Sequence, residues 1–350
     1  MLKLIVTLLL VTATHLAGPA ANSQERPAVP APGETFIAPL ATQAMLLDGT
    51  YVDGLLVVVG EHGIVLTSSD GGVSWDQAQS HTRATLTAVH MHDSNTGWVV
   101  GHDAIILRTG DGGKTWETVY SDPEDHRPLF DIWFSDENYG IAVGAYGLFL
   151  RTEDGGSNWE AGELIPEPWP DLAQEAEEES DEFDFEDDQY YDFHMNKIVS
   201  AETGDLYVAA EAGNFFRSGD NGETWFSMPT TYAGSFFSVL PLQGQSLLLM
   251  GMRGNLFAST SGGEAFSQVD LPVSVSLNHG AIVNDKTILI GGMAGALLES
   301  VDGGSSFRLL QQDNRKAISA LVPVDGAIIV LGETGVRRLT LEQLRQGGAE

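Results

Sequence analysis

The chain has 350 residues, with 49 acidic and 17 basic side chains and a formal net charge of −32. This excess of negative charge argues against binding to nucleic acid or to anionic membrane surfaces, because both are themselves negative. It fits a protein partner whose surface is basic or neutral. The chain contains no cysteine, which excludes disulfides and a lipid-anchored cysteine.

The N-terminus has the pattern of an export signal. One positive charge and a short apolar run precede small residues between positions 17 and 21. We therefore predict a signal peptide over residues 1–21 and a proline-rich linker over residues 22–33. An exported chain without cysteine favours the periplasm of a Gram-negative bacterium. The apolar run is too short to span a bilayer, so we expect no bilayer insertion after cleavage.

The main body of the chain is a repeat of the motif Asp-x-Gly-x-x-Trp. A small residue stands fifteen positions before the aromatic residue that ends each motif copy, and a seventh small residue of this kind occurs near the C-terminus. These residues are Gly60, Gly101, Gly144, Ala210, Gly251, Gly292 and Gly332. The spacings are 41, 43, 66, 41, 41 and 40 residues, which is typical of four-stranded propeller blades. We predict an all-β, seven-bladed β-propeller over residues 34–345, followed by a tail at 346–350.

Each unit is predicted to contain four short strands. In the first unit, an apolar run at 55–59 leads into a Gly-x-x-Gly turn, and a second run at 64–66 leads into the Asp motif. Glycine at both ends of the turn favours a tight hairpin. The seventh unit lacks a fourth strand, so we predict that the stretch from Glu34 to Leu40 supplies it and closes the ring. The stretch from Leu339 to Arg345 is predicted to form one helical turn.

The Asp motif is predicted to be a structural staple. Its carboxylate can accept backbone N–H groups and fix a turn, and its aromatic ring can pack on the neighbouring strands. Six similar copies around a ring cannot all be one active site. The residues assigned to this role are Asp70, Trp75, Asp111, Trp116, Asp154, Trp159, Asp220, Trp225, Phe266, Asp302 and Phe307.

The long interval contains an acidic insertion at about residues 165–192. Its aromatic residues include Phe183, Phe185, Tyr190 and Tyr191. Such a dense run of like charge resists packing. Three alternatives remain open: a solvated mobile loop, a docking arm that orders on a basic partner with the aromatic residues as anchors, or a calcium site. The spacing of an EF-hand is absent.

Strand alternation places the Gly-x-x-Gly turns and the acidic insertion on one face of the ring, and the Asp motifs on the opposite face. Because the turn residues vary while the frame repeats, we expect binding on the turn face. The candidate binding residues there are His62, His102, Asp103, Tyr146 and Arg253.

Three arginines each stand eight residues before the tryptophan of their unit: Arg108, Arg151 and Arg217. Two interpretations remain open, namely pairing with carboxylates of the next blade and a stripe that binds a carboxylate-bearing partner. The pair His90 and His92 lacks a third ligand, so we predict no metal site. We likewise expect no cofactor.

The motif run resembles the Asp-box, or BNR, repeat. The fuller unit resembles the photosystem II stability and assembly factor family, on the segments Thr96-Gly97-Trp98-Val99-Val100-Gly101, Arg108-Thr109-x-Asp111-Gly112-Gly113, Asn138-Tyr139-Gly140-Ile141-Ala142-Val143-Gly144 and Arg151-Thr152-Glu153-Asp154-Gly155-Gly156. This resemblance implies an exported, non-catalytic seven-bladed propeller. Photosynthetic members assist photosystem II assembly in the thylakoid lumen, and similar proteins of other bacteria include some encoded near RND-type exporters.

Two functions follow as hypotheses. The first is a monomeric, non-catalytic scaffold or assembly factor for a membrane-protein complex, including an RND-type exporter. The alternative is a sialidase-type glycoside hydrolase with Asp-box repeats, which needs an arginine triad for the substrate carboxylate, a tyrosine nucleophile and acidic helpers. The first strands, which line the channel, carry no arginine and present mostly apolar residues: Val89, Ile132, Ile198, Val239, Ala281 and Leu321. We therefore favour the scaffold and assign no catalytic residue.

Overall fold

The structure, a computed structural model, describes residues 35–170 and 192–347. Seven sheets surround a central axis, and the first strand of each sheet contacts the first strands of both neighbouring sheets. The predicted seven-bladed propeller is confirmed. The predicted signal peptide and linker lie outside the described residues, as does most of the acidic insertion.

Blades 1 to 3 are four-stranded and antiparallel. Their strands are β1 (Leu46–Val52), β2 (Leu55–Gly60), β3 (Val65–Ser68), β4 (Asp76–Ala78), β5 (Leu86–Met91), β6 (Gly97–Gly101), β7 (Ile106–Thr109), β8 (Glu117–Tyr120), β9 (Leu129–Phe134), β10 (Gly140–Gly144), β11 (Phe149–Thr152) and β12 (Glu160–Gly162).

Blades 4 to 6 repeat this order, and blade 4 gains a fifth strand (Pro166–Pro168), which pairs in parallel with its strand Trp225–Ser227. The strands are β13 (Pro166–Pro168), β14 (Met195–Ser200), β15 (Leu206–Ala210), β16 (Phe215–Ser218), β17 (Trp225–Ser227), β18 (Phe236–Pro241), β19 (Leu247–Gly251), β20 (Leu256–Ser259), β21 (Ser267–Val269), β22 (Leu277–Ile282), β23 (Ile288–Gly292), β24 (Leu297–Ser300) and β25 (Arg308–Leu309).

Blade 7 has three strands within the described residues. They are β26 (Ile318–Val324), β27 (Ala327–Gly332) and β28 (Arg337–Leu339). The helix α1 (Leu341–Arg345) follows, as the C-terminal pattern predicted. It begins at Thr340, whose side chain accepts from the backbone N–H of Gln343 in a capping box.

The second strand of each blade is apolar throughout because both of its faces are covered. In β2, Leu56 and Val58 pack against blade 7, while Val57 and Val59 pack against blade 2. All four side chains are fully buried. A strand buried on both faces has a continuous apolar run rather than an alternating pattern. The core therefore consists of seven layers, one between each pair of neighbouring blades.

The Asp motif forms a compact hydrogen-bonded turn. In the second unit, Asp111 accepts from the backbone N–H and the hydroxyl of Thr115 at 2.9 and 2.6 Å. Trp116 donates its indole N–H to the carbonyl of Gly113 at 3.0 Å and is buried. The motif thus joins the third and fourth strands and anchors a ring in the layer beside them.

Within residues 35–170 and 192–347, no N-terminal strand pairs with blade 7, so the prediction that the stretch from Glu34 to Leu40 supplies its fourth strand is wrong. Residues 35–40 form no strand in the structure. The side-chain amide of Gln77 in blade 1 accepts from the N–H of Ala38 at 2.8 Å and donates to the carbonyl of Phe36 at 2.9 Å. These two hydrogen bonds occupy one edge of the segment. Pro39 follows and lacks an N–H to extend a ladder. Blades 1 and 7 instead close the ring by packing their apolar faces together.

We expect Gly63→Ala to be much more destabilising than Gly54→Ala. Both glycines have positive φ, 71° and 85°, so each substitution carries a backbone penalty of about 1–2 kcal/mol. A Cβ at Gly63 would also collide with the carbonyl oxygen of Thr82, whereas nothing lies within 4 Å of a Cβ at Gly54. Overpacking should add about 1–3 kcal/mol. Chemical denaturation measures the difference, and equal losses for the two variants would contradict the close approach.

The Asp motifs should lose stabilising power in acid. Hydrogen bonds from Ser306, through its side chain and its backbone N–H, lower the pKa of Asp302 to about 2. A carboxyl whose folded pKa is depressed stabilises the protein above its unfolded pKa, near 4, and loses this effect as the pH falls towards 2. Asp302→Asn should therefore flatten the decline of the unfolding temperature between pH 4 and 2.

The matched control for this acid effect is Asp285→Asn, at an exposed carboxylate outside the motif. It should leave the decline unchanged. A parallel decline in wild type and in Asp302→Asn would show that this motif does not contribute.

Candidate functional site

Four of the five candidate residues on the turn face project from it through left-handed backbone. His62, Asp103, Tyr146 and Arg253 occupy the same place in their turns, with φ of 57°, 59°, 51° and 56°. This conformation turns each side chain away from the hairpin, and all four are exposed. His102 precedes Asp103 and is also exposed. These positions are therefore accessible to a partner.

The five candidate turn residues stand on four different blades, with His102 and Asp103 in the same turn, and they do not form one cluster. Nε2 of His62 lies 3.9 Å from a carboxylate oxygen of Glu61 in the same turn. Within the described residues, no hydrogen bond or ring contact joins His62 to His102 or to Arg253. The turn face presents them as separate points around the channel, and their binding role stays a prediction.

Tyr146 does belong to an aromatic cluster, at the junction of blades 3 and 4. Its ring lies edge-on to the ring of His194, with centroids 4.6 Å apart. The ring of Phe130 also lies edge-on to His194, with centroids 5.7 Å apart. Glu211 accepts the backbone N–H of His194 at 2.9 Å. Arg127 donates to the carbonyl of Tyr146 at 3.1 Å. Local sequence patterns do not reveal this cluster, because its three rings come from three segments that only the ring of blades brings together.

The mouth of the channel on the turn face is polar. Every first strand has a register shift after its first residue. In two of these strands, the side chain of the third residue forms a hydrogen bond to the next blade. Asp48 accepts from the N–H of Val89 at 3.0 Å, and Asp131 accepts from that of Ile198 at 2.8 Å. Each carboxylate thereby bonds the inner edge of the blade that follows it.

Lys197 provides the positive charge at this mouth. Its ammonium lies 3.1 Å from a carboxylate oxygen of Asp131, which is 4% exposed, while Lys197 is 25% exposed. Burial opposes the charged form of Lys197, but Asp131 and Asp48 raise its pKa above the ordinary value. Burial raises the pKa of the Asp131 carboxyl, and Lys197 opposes that rise. Each group thus favours the charged form of the other.

Two histidines border the same cluster and are neutral at pH 7. Burial is the main cause that lowers the pKa of both His90 and His279 to about 4. His279 accepts from the N–H of Leu321 through Nδ1 at 3.4 Å. This bond requires the unprotonated ring nitrogen.

The expectation of an apolar channel is therefore wrong at its mouth. The six apolar residues named for the channel are buried in the layers between blades instead. The side chains that converge on the axis are Asp48, Asp131, Lys197 and His279, with His90 beside them. Simple alternation of side chains along the strand does not predict these positions, because the register shift changes which side chains face the axis. No sequence pattern marks the shift.

The three aligned arginines lie on the flanks of their blades, near the Asp motifs rather than on the turn face. Arg151 pairs with Glu223 of the next blade at 2.9 Å. Arg217 pairs with Asp205 of its own blade at 3.1 Å and lies 3.8 Å from Glu264 of the next. Pairing with carboxylates of the next blade is thus observed for both.

Arg108 differs from its two counterparts. Its guanidinium lies 6.0 Å from the ring centroid of Trp98, and its Nε is buried without a hydrogen-bond partner in the described part of the chain. The next blade carries Ser157 where the motifs of blades 4 and 5 carry glutamate. A role of these arginines in partner binding stays a prediction.

The aromatic residues of the acidic insertion, Phe183, Phe185, Tyr190 and Tyr191, lie outside the described residues. Its flanks are described. Asp192 and His194 lead into β14 on the turn face, and Trp169 packs edge-on against Phe226 at 5.6 Å. The insertion therefore returns to the ring beside the cluster of Tyr146.

Within residues 35–170 and 192–347, no group of three or more His, Asp or Glu side chains could hold a metal ion. None of the helices in this part of the chain has the length and hydrophobicity needed to cross a bilayer.

Comparison with known proteins identifies the likeness that the repeat motifs predicted. A family model described as photosynthesis system II assembly factor YCF48 matches residues 37–126. A solved structure described as YCF48 bound to D1 peptide is 21% identical, with a TM-score of 0.64, over 90% of this chain and 99% of its own. YCF48 from Cyanidioschyzon merolae is 20% identical, with a TM-score of 0.66, over 87% and 98%.

A more distant match is a GH74 xyloglucanase from Xanthomonas campestris, 13% identical with a TM-score of 0.62 over 84% of this chain and 52% of its own. No curated protein gives a significant match. The chain thus resembles the YCF48-like assembly factors among BNR propellers. At these identities the structural likeness establishes the fold.

We expect Lys197→Met to lower the free energy of unfolding by about 2–3 kcal/mol. The substitution leaves Asp131 buried without its cation, which costs about 3–5 kcal/mol at a fully buried pair. The loss should be smaller here because Lys197 is partly exposed. Denaturant titration at pH 7 measures it. The control Lys286→Met, at an exposed lysine, should stay within about 0.5 kcal/mol, and an equally stable Lys197→Met would contradict the ion pair.

Proposed function

We propose that this chain is an exported, non-catalytic propeller that binds a segment of a membrane protein and assists assembly of its complex. The observation that carries the proposal is the match to YCF48 bound to D1 peptide over 90% of this chain and 99% of that one. The family match over residues 37–126 supports the same conclusion from sequence.

The turn face is the part of the molecule best suited to such a partner. It combines the exposed ring of Tyr146, the exposed cation Arg253 and the thioether of Met293, the last of which is 45% exposed. Aromatic, arginine and methionine side chains are enriched at protein interfaces. Variable side chains on a uniform frame are where binding usually occurs. The face therefore offers apolar and charged contacts around one polar channel mouth.

A glycosidase of the sialidase type receives little support from the described residues. Such enzymes need a free arginine triad for the substrate carboxylate, a tyrosine nucleophile and acidic helpers. Arg151 and Arg217 are engaged by carboxylates on the blade flanks. At the channel, Asp131 is held by Lys197 and by the backbone of blade 4. These bonds stabilise the ring, and we infer that they leave none of these described side chains poised for hydrolysis.

Two membrane complexes are proposed as partners, namely a photosynthetic reaction centre and an RND-type exporter. Both fit an exported monomer with a net negative surface. Export to the periplasm or to a lumen is part of the proposal and rests on the N-terminal pattern of residues 1–21.

Affinity capture from detergent-solubilised membranes of the source organism tests the proposal. Wild-type protein should capture a defined membrane-protein subunit, to be confirmed with the purified subunit. The double variant Tyr146→Ala, Arg253→Ala should weaken that binding about tenfold or more, since anchors of this type each contribute more than 1 kcal/mol. The matched control Val301→Ser removes an apolar side chain, 52% exposed, from the opposite face and should bind like wild type.

Two results would contradict the proposal. The first is equal loss of binding in the Val301→Ser control, which would remove the case for the turn face. The second is turnover of fluorogenic sialosides that Asp131→Asn abolishes while the fold persists. Deletion of residues 172–190 tests the docking arm separately, because unchanged partners would exclude it without affecting the turn-face proposal.

A further inference from the structure

Blade 7 leaves one strand edge open. In each of the six other blades a fourth strand pairs with the third, whereas β28 pairs with β27 alone among the described residues. An edge strand presents backbone N–H and C=O groups that no neighbouring strand satisfies. The helix α1 turns towards blade 6 instead, where Leu344 packs in the layer shared with that blade and Arg345 pairs with Glu299. The outer edge of β28 is therefore available for pairing.

The exposure of Arg338 shows that this edge is uncovered. Arg338 lies opposite Ile329 of β27 as Arg151 lies opposite Ile141 of β10, and each isoleucine stands three residues before the last glycine of its strand. Arg338 is exposed. At the same place in the six other blades no residue is exposed, and these residues are Thr67, Arg108, Arg151, Arg217, Ala258 and Glu299.

Arg337 gives the same indication from the other face of the strand. It lies opposite Val330 and is only half-buried. The six other blades place a buried apolar side chain here, namely Leu66, Leu107, Leu150, Phe216, Phe257 and Leu298. None of the ion pairs among the described residues includes Arg337 or Arg338. Two adjacent cations thus mark the open edge of a chain whose net charge is −32.

The complete blades show which side chain a strand at this edge would need. In blade 2 Arg108 lies directly opposite Glu117 of the fourth strand, and in blade 3 Arg151 lies directly opposite Glu160. Opposite charges that face each other across two strands stabilise the pairing. Arg338 holds the arginine position of this arrangement, and its Nε donates to the carbonyl of Gly71 at 2.8 Å. Its counterpart would be a carboxylate at one position of an extended strand.

The N-terminal segment of this chain is poorly suited to be that strand. The hydroxyl of Thr35, where the described part begins, bonds to Ser80 and to the carbonyl of Thr82. Both partners belong to the linker between blades 1 and 2, so the chain enters the described part there and not beside β28. The preceding residues include prolines at positions 27, 30 and 32, and proline has no N–H for a ladder. The occupant is therefore expected from another protein.

We propose that a partner protein adds an extended strand to β28, antiparallel to it, with a glutamate or aspartate opposite Arg338. Such a strand gains main-chain hydrogen bonds along the edge, and its carboxylate gains an arginine partner as in blades 2 and 3. This surface lies on the rim of the ring and is separate from the turn face, so it goes beyond the proposed function and does not depend on it. Edge arginines can also serve only to prevent pairing, and peptide binding distinguishes the two roles.

The probe is the fourth strand of blade 3, residues 157–164, as an acetylated and amidated peptide that carries Glu160. The fluorescently labelled peptide is titrated with full-length protein, and its anisotropy is measured. The wild-type protein should bind it. The peptide with Glu160→Lys should bind about fivefold more weakly, because a cation would then face Arg338.

Two methylated peptides test whether binding occurs by strand pairing. One carries a methyl group on the backbone nitrogen of Glu160 and the other on that of Ala161. Neighbouring N–H groups of a strand point to opposite sides, so only one of the two methyl groups should face β28 and abolish binding. Equal affinity of the two methylated peptides would contradict pairing along the edge.

A charge exchange assigns the position of the carboxylate. Arg338→Glu should weaken binding of the unmodified peptide about fivefold and should bind the Glu160→Lys peptide more tightly than the unmodified one. The matched control is Lys286→Glu, which makes the same change of charge at an exposed lysine of blade 6. It should bind both peptides as the wild-type protein does.

Three results would overturn the inference. The first is no binding of the unmodified peptide at millimolar concentration, which would show that the arginines only protect the edge. The second is binding that appears only after deletion of residues 22–33, which would make the chain's own segment the occupant. The third is an equal preference of wild type and Arg338→Glu for the two peptides, which would place the carboxylate elsewhere.

Discussion

The whole structure depends on one constraint, which is that a blade cannot cover its own apolar faces. The two sets of side chains on β2 pack against different neighbours, Leu56 and Val58 on blade 7 and Val57 and Val59 on blade 2. Any blade at an open end would expose one such face to water, at about 25 cal/mol for each Å² of apolar surface. Closing the ring removes both ends at once.

Polar bonds at the inner strands add order to this apolar packing. Asp48 and Asp131 accept N–H groups of the next blade. Side chains at the register shifts donate to carbonyls in the same direction, as Thr87 does to Leu129 and Asn196 does to Phe236 at 2.7 and 2.8 Å. These bonds are specific to position, so they fix which blade follows which. The same side chains make the channel mouth polar on the turn face.

The sequence predicted what depends on local periodicity. The number of blades, the place of the turns and the helix capped at Thr340 all follow from patterns within about 40 residues. The prediction failed where a position depends on side chains that another blade, distant in sequence, contributes. The Gln77 amide takes the N-terminal segment away from strand pairing, and the register shifts bring Lys197 and Asp48 to the axis. Among the described residues, Nε of Arg108 has no hydrogen-bond partner, since the next blade carries Ser157 where other motifs carry glutamate.

This division explains how the site relates to the fold. The layers and the inner strands are committed to holding the ring, so substitutions there affect stability. The turns are held at their glycine positions but leave the side chains between them free to vary, as at Tyr146 and Arg253. Recognition can therefore change from one protein of this architecture to another while the frame stays the same.

Blades 1 and 7 close the ring by packing, and no strand among the described residues pairs with the edge of blade 7. Hydrogen–deuterium exchange on the full-length protein tests it most directly. If the ring is closed, amides of β26 and β1 bonded to β27 and β2 should exchange as slowly as the corresponding amides of β9 and β14. Rapid exchange of blade 7, well ahead of blades 3 and 4, would show an open end and contradict the closed ring.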